Sequence, residues 1–482
     1  MGLKDERDET RARADEATWN IAKEVRKHLN EKQREYLDKK FGEDPPEKSR
    51  REYLKTAAAL AAGFVAGGVV GGAVGWFSKP AEVIEKPPEA VKLPDPIKIG
   101  NIAIRSGPWG SYGQFMEMGA RLAAEEINAT GGILGSKVEL DFRDDELSID
   151  TGVKQARYLV EEWGAHCING VDSSPVAGAI AEIMPELGRN FIITHACIHT
   201  ITEDTVYRKG YKNTFRIVVP CPYQDSVLLA YMVATWPIKR WAGIHCDEEY
   251  GYECWAWFQY YLKKLRPDVE FVENTYSKYG TTDFSPHISK VMAAEPEAIH
   301  TTLWAGEAVM CCKQAMTWGA FKTLKAWCNC MGAAIDVLEG YGKGGFPQDK
   351  LWCSSRGWPF WPNSPQQQDF VKRFKARWGH YPPYSAASTY DAVYAYKAAV
   401  EMAKSVDVDK TTEALENMAF PKPSGLGFGG FRKEDHQYLY AVPWGRVYDD
   451  PNYEIPVLKD LFVLPAEMYY RYPPFEPAKI TP

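Results

Sequence analysis

The sequence predicts an α/β protein whose main part is two doubly wound parallel-sheet lobes, and three observations carry that prediction. Apolar patterns of strand period and helix period alternate from residue 97 onward. A second block of the same plan starts at Trp241. The chain has 482 residues, and length alone suggests about three units. Composition narrows the class further. A 45% apolar content is enough to fill a large core. The 57 basic residues are set against 64 acidic ones, with no Lys/Arg block after residue 55, so no nucleic-acid footprint is present. The 16 Trp and 27 Tyr supply packing surface, and a few are candidates for stacking on a ligand.

Residues 1–48 form a charged N-terminal segment in which only Trp19, Ala22, Val25 and Leu29 trace a helical stripe, and Pro45-Pro46 closes it. Segment 49–77 begins Ser49-Arg50-Arg51-Glu52-Tyr53-Leu54-Lys55 and continues as an uncharged run over 56–77. Paired arginines before an uncharged apolar run resemble a twin-arginine signal, whose reader is the twin-arginine translocase. The run is long enough to span a bilayer, and left uncleaved it is a membrane anchor, although six glycines keep it only moderately hydrophobic. No clean Ala-x-Ala cleavage site follows. No Cys precedes Cys167, which excludes a lipid-modified cysteine at this signal. Positive charge ahead of the run predicts a cytoplasmic N-terminus and an extracytoplasmic remainder. Residues 78–96, rich in Pro, Glu and Lys, read as a stiff solvated linker.

The main part opens with one βαβ unit over 97–143. Ile97/Ile99 and Ile102/Ile104 read as a strand, and Val138, Leu140 and Phe142 alternate with Lys137, Glu139 and Asp141 as another. Between them Phe115, Met118, Leu122, Ala123 and Ile127 make a helical apolar face. Gly107-Pro108 ends the first strand and Gly131-Gly132 stops the helix, so 106–113 is a candidate binding loop at a strand's carboxyl end. Helix 153–163, strand 166–169, helix 176–187 and strand 191–194 continue the alternation. The second block reads as strand 241–246, helix 255–265, strand 269–273, helix 288–294, strand 298–303 and helix 308–318. Such regular alternation predicts parallel sheets with helices on both faces.

These residues resemble the branched-chain amino acid (Leu/Ile/Val) binding-protein family, the type I periplasmic binding fold of ABC importers. The resemblance rests on Ser106-Gly107-Pro108 with Gly113, on 123–128 (AAEEIN), on 131–135 (GGILG), and on Gly170 with Ser173-Ser174. It continues through Phe215-Arg216, Tyr250-Gly251, Thr282-Asp283-Phe284, Tyr390-Asp391-Ala392-Val393 and Asp435-His436-Gln437. The ordered set covers about three-quarters of the chain. It implies two lobes joined by three hinge crossovers, near 219–223, 352–355 and 423–428, closing on a small solute. Lobe 1 is then expected over 97–220 and 354–425, lobe 2 over 221–353 and 426–450, and a C-terminal tail over 451–482.

Ser173-Ser174-Pro175 reads as the opening of a helix, where hydroxyls and free N–H groups suit a carboxylate. N-capping by Asp172 or Ser173 explains the same residues equally well, and Asp172 would repel an anion unless it points away. The resemblance makes the serine turn the holder of a ligand carboxylate. It also makes Trp109 and Tyr112 an aromatic wall, gives Ala196 and Cys197 small contacts, and makes Tyr250 the closing aromatic. The family's acidic partner for a ligand ammonium would fall near Met331-Gly332, where this chain has no acid; Glu307 or Asp336 are substitutes. The missing acid argues against a standard α-amino acid and leaves an amide, a urea-like compound, a short carboxylate or an aromatic acid open as ligand, beside the amino acid that the resemblance implies.

Ten cysteines do not form a zinc pattern: Cys311-Cys312 and Cys328-Asn329-Cys330 have the wrong spacing, and buried small hydrophobes or disulfides account for them. His195 and Cys197 would point to opposite sides of a continued strand, which argues against a nucleophile pair. Residues 340–345 (GYGKGG) lack the phosphate-loop spacing. No catalytic residue, metal or cofactor is expected. The function expected is that of an extracytoplasmic solute-binding protein, with a small-molecule solute and ABC transporter permease subunits as partners. A membrane-anchored ligand sensor is the alternative, and an exported enzyme on the same fold is a weaker one.

Overall fold

The computed structural model describes residues 93–475, with residues 26, 31–42 and 53 of the N-terminal segment. The chain divides into two units, Met1–Ala90 and Val91–Pro482. In the first, Glu31–Phe41 is a helix ending in Lys39 and Lys40, charges that suit a helix C-terminus. Arg26 pairs with Asp38 at 2.7 Å and donates to the Tyr53 hydroxyl at 3.1 Å. The Trp19–Leu29 stripe, the arginine pair and the apolar run 56–77 lie outside the described residues. Among the described residues, no helix is long and apolar enough to cross a membrane.

In the second unit the first sheet has order β2-β1-β3-β4-β5 and is parallel throughout. Its strands are β1 (Ile97–Ala103), β2 (Val138–Asp144), β3 (Cys167–Gly170), β4 (Asn190–Ile193) and β5 (Thr214–Arg216). Helices α1 (Gly110–Ala129), α2 (Ile149–Arg157) and α3 (Ser174–Leu187) join them. Along α1, Tyr112, Met116, Ala120, Ala123 and Ile127 are buried at helical spacing. Burying one such large apolar side chain stabilises by roughly 1.5–3 kcal/mol. Phe115 and Met118, expected on that face, are only partly buried. The helix instead has a second covered side, because Gly119 lies so close to a later helix that a Cβ would sit 1.9 Å from the Ala386 carbonyl oxygen.

The second sheet has order β12-β11-β10-β9-β8-β6-β7. Its parallel part is β6 (Arg240–Cys246), β7 (Glu270–Ser277), β8 (Ala298–Thr301), β9 (Ala326–Asn329) and β10 (Leu351–Ser354), while β11 (Trp444–Tyr448) and β12 (Val457–Phe462) add antiparallel. Helices α4 (Glu249–Leu265), α5 (Ser285–Ala293), α6 (Ala305–Trp318) and α7 (Ile335–Tyr341) cover it. Helices α8 (Pro365–Trp378), α9 (Tyr384–Ala403) and α10 (Val408–Asn417) return to the first lobe, where Arg373 and Tyr390 reach Glu126 of α1.

Two boundaries differ from the expected ones. The third crossing does not fall at 423–428, because Ser424 donates to Asp391 of α9 from both its N–H (2.8 Å) and its hydroxyl (2.6 Å). The chain then runs beside β5, where Tyr438 N–H donates to the Arg216 carbonyl (2.9 Å), and it enters the second sheet only at Trp444. The segment after 450 is not merely a tail: β12 pairs with β11 and completes the second sheet. Beyond it, Arg471 pairs with Glu203 at 3.0 Å and Phe475 accepts from Arg208 at 2.7 Å, so the chain end crosses back onto the first lobe.

Candidate functional site

Parallel strands end their carboxyl termini at one edge, where loops and helix starts present side chains and free N–H groups. Here both sheets turn that edge toward a single cavity of about 240 Å³ between the lobes. The loop after β3 supplies Asp172, Ser173 and Ser174, and the loop after β4 supplies His195 and Cys197. From the second lobe come Glu248 and Tyr250 after β6, Tyr279 after β7, Trp304 after β8 and Met331 after β9. Arg356 enters from the crossing after β10, and Tyr384 from the first turn of α9.

Gly170 makes the serine turn possible. Its φ is +127°, and a Cβ there would fall 2.1 Å from the Ile102 carbonyl oxygen. Neither residue weighed as a cap performs that role. Ser173 stands at the N-cap of α3 without a side-chain capping bond. Asp172 turns away toward β1, where its Oδ2 accepts from Ile104 N–H at 3.0 Å and its Oδ1 lies 2.6 Å from His195 Nδ1. The Ser174 hydroxyl oxygen accepts from Cys197 N–H at 3.2 Å, which ties the turns after β3 and β4 together.

Burial pulls the pKa of His195 down, and Asp172 only partly opposes this. The carboxylate sets the imidazole proton on Nδ1, so Nε2 accepts from the Tyr384 hydroxyl. His195 and Cys197 both reach the cavity because β4 ends at Ile193 and the chain bends, so strand alternation does not apply to them. They do not form a nucleophile pair. Both imidazole nitrogens are engaged, and burial pushes the Cys197 thiol well up.

Arg356 is the dominant charge. It is only 4% exposed, and its guanidinium lies 5.4 Å from the Tyr250 ring and 5.7 Å from the Tyr384 ring, one from each lobe. One nitrogen donates to the His195 carbonyl at 3.0 Å, whereas Nε has no partner. Among the described residues no carboxylate comes within ion-pairing distance of it. Asp225 sits behind and accepts from the Tyr250 hydroxyl at 3.0 Å; burial pushes its pKa up to about 7 against the pull of Arg356. On the facing side, burial also raises the pKa of Glu248, against which the Tyr279 hydroxyl acts as donor.

Of the residues singled out from sequence, Ser173, Ser174, Cys197 and Tyr250 meet at the cavity. Trp109, Tyr112, Ala196 and Glu307 stand behind it. Trp109 stacks on Trp304 at 6.2 Å, and Tyr112 donates to Asp336 at 2.9 Å, so these two fasten lobe to lobe. Ala196 is fully buried, its N–H donating to the Val171 carbonyl. Glu307 accepts from Gly280 N–H at 2.7 Å and pins the loop that carries Tyr279. Asp336 is spent on Tyr112, and burial raises its pKa to about 6. Sequence reasoning missed Arg356, Glu248, Tyr279, Trp304 and Tyr384. A position just past a strand's carboxyl end was the available signal for the first four; Tyr384 follows Pro382-Pro383, a helix-start signal. All ten cysteines are buried and unbridged, and among the described residues no group of three or more ligating side chains could hold a metal ion.

A profile of the periplasmic binding protein family matches residues 96–448. The chain belongs to the periplasmic binding protein family. Among relatives of this periplasmic binding protein, Leu/Ile/Val-binding protein homolog 3 of Brucella melitensis is 26% identical over 64% of this chain and 80% of its own length. A solute-binding protein of an ABC transporter from Rhodopseudomonas palustris, solved with 3,4-dihydroxybenzoic acid, superposes with TM-score 0.67 at 20% identity, covering 77% of this chain and 98% of that one. The branched-chain amino acid transporter substrate-binding protein LivJ of Streptococcus pneumoniae, solved with isoleucine, gives 0.66 at 20% identity over 77% and 100%. These two likenesses show the fold: two α/β lobes of the type I periplasmic binding kind. The family is one of extracytoplasmic solute-binding proteins that serve ABC importers.

Proposed function

We propose that this periplasmic binding protein captures a small carboxylate with an apolar or aromatic body and delivers it to the permease of an ABC importer. One observation carries the reading: Arg356 is a buried guanidinium facing the cavity without a carboxylate partner among the described residues. A buried charge left unpaired is costly, and a planar carboxylate matches its fork of donors. The uncapped serine turn at Ser173 and Ser174 supplies further donors to the same anion, at a helix start whose dipole favours negative charge. Tyr250, Tyr384, Trp304 and Met331 give the body of the solute an apolar, largely aromatic surface. The ligands named for the relatives, branched-chain amino acids and 3,4-dihydroxybenzoic acid, are both carboxylates with such bodies.

The same reading includes export by the twin-arginine route, supported by Arg50-Arg51 ahead of the uncharged run 56–77. Ten buried, unbridged cysteines suit a chain that folds in a reducing compartment before it crosses a membrane. If the run is retained after export, it tethers the protein to the membrane. A thermal-shift screen of amino acids, aliphatic carboxylates and hydroxybenzoates tests the ligand class, because a ligand bound only by the folded state raises the melting temperature. Stabilisation by neutral amides or sugars, with none by any carboxylate, refutes it.

A further inference from the structure

The last stretch of the chain crosses the lobe boundary once more, and it lies outside the family match, which ends at residue 448. It leaves the second sheet at Phe462, the end of β12, and makes the helical turn Ala466–Tyr469. The residues that follow pack over the hinge. The Tyr470 hydroxyl donates to the Tyr440 carbonyl, on the third crossing, at 3.2 Å. Its ring lies 5.2 Å from that of Tyr223, on the stretch between β5 and β6. Past the hinge the backbone is fastened to the first lobe: the Arg471 carbonyl accepts from Arg432 at 2.6 Å and the Phe475 carbonyl from Arg208 at 2.7 Å. The Tyr207 ring meets that of Phe475 edge-on at 5.1 Å.

Arg471 stands where the two lobes meet. Its guanidinium pairs at 3.0 Å with Glu203, on the helical segment Ile201–Arg208 of the first lobe, and lies 5.2 Å from the Trp257 ring on α4 of the second. The two paired side chains are only 14% and 2% exposed, so water and salt screen them little. Glu203 also accepts from the Tyr223 hydroxyl, and His199 reaches across to Glu253 of α4 beside it. Opening the lobes would draw α4 away from Glu203 and His199, and Arg471 would have to give up one side.

We infer that residues 463–475 form a strap that restrains lobe opening, with Arg471 as the residue that joins the strap to both lobes. Three crossings leave a clamp free to hinge. A further one, anchored at both ends, adds contacts that the closed form has and the open form lacks, which shifts the equilibrium toward closure. A solute enters and leaves through that opening, so the strap slows both steps. Arg471 does not line the cavity and acts as a positioning residue. The inference rests on the hinged clamp of the family and is independent of the ligand class.

Labelling of Cys197 with N-ethylmaleimide measures the opening, read site by site by peptide mass spectrometry on the full chain without added solute. Cys197 faces the cavity at only 2% exposure, whereas Cys167 of β3 and Cys328 of β9 are wholly buried, one in each sheet, and report unfolding instead. Local opening and global unfolding are thereby read apart. In Arg471→Met the Cys197 rate should rise about fivefold or more, with Cys167 and Cys328 unchanged. Glu203→Gln cuts the same pair from the first lobe while keeping the volume, and it should raise the Cys197 rate in the same way. A Cys197 rate that stays at the wild-type value in either variant overturns the inference. So does a rise shared equally by Cys167 and Cys328, which would make the strap a support of the fold alone. Neither result touches the carboxylate reading of the cavity.

Discussion

Replacing Arg356 by Met separates ligand recognition from fold stability, because the two should move in opposite directions. In the wild type the guanidinium is buried and has no carboxylate partner among the described residues; Nε is unpaired, and only the His195 carbonyl takes one of its donors. A ligand carboxylate would gain two charge-assisted hydrogen bonds, worth roughly 1.5–3 kcal/mol each. Taking the low end for both gives about 3 kcal/mol, or ~150-fold in affinity. Without ligand the balance reverses. Exchanging a buried unpaired charge for an apolar side chain of similar length removes a desolvation cost, so the free protein should melt at the same temperature or a few degrees higher. Calorimetric titration and melting curves, with and without leucine or 4-hydroxybenzoate at saturating concentration, read both quantities. A variant that binds the wild type's ligand within about threefold would refute the assignment of Arg356 as the anion partner. A variant that melts far lower while empty would show the charge to be satisfied within the fold.

Truncating Tyr250 of the cavity wall to Ala should weaken solute binding by about 1–3 kcal/mol, read by titration; unchanged affinity would refute its proposed role as the aromatic that closes on the solute. His199 of the first lobe meets Glu253 of α4 at 3.0 Å, faced also by Glu203, Glu249 and Arg471. Burial alone would lower its pKa, but Glu253 and Glu203 more than offset this and hold it above the ordinary value. The pair's contribution is therefore complete below the unfolded pKa of about 6.5 and is lost as pH rises through the higher folded value. Melting temperatures of the wild type minus those of His199→Gln should thus shrink from pH 6 toward pH 8, and a flat difference would remove this inter-lobe clasp. Gly119→Ala drives a methyl group into the Ala386 carbonyl and should cost about 1–3 kcal/mol in urea unfolding; a silent substitution would mean that α1 and α9 separate freely.

The elements most legible in the sequence were those whose side chains face a core in a fixed period. Strands β1, β2, β3, β4, β6, β7 and β8 and helices α1, α3, α4, α5 and α6 were read from alternating or helical apolar patterns, with ends off by a few residues. Helix α9 escaped because it is buried nearly all round, so no polar face marks its period. Strand β12 escaped for the opposite reason: it is an edge strand, and the Lys-Asp within it reads as loop. In the site, Ser173 and Ser174 were visible as a helix-start signal ahead of Pro175, whereas Tyr250 was singled out only by the family resemblance of Tyr250-Gly251.

By itself, then, the sequence determined the α/β plan, the two lobes, the charged segment and apolar run before them, and the position of the serine turn. These follow from short-range periodicity and from backbone rules at Gly and Pro, which act within a few residues. Only the tertiary structure decided what the cavity is made of. Tyr112 and Asp336 lie 224 positions apart, and Arg356 and the His195 carbonyl 161, so no local pattern relates them. Whether a tyrosine lines a pocket or fastens two lobes depends on what stands opposite it after the strands have registered. The same holds for charge. Arg356 among the 57 basic residues is unremarked in the chain, and it stands out only once the fold has buried it at the cavity with no carboxylate partner among the described residues.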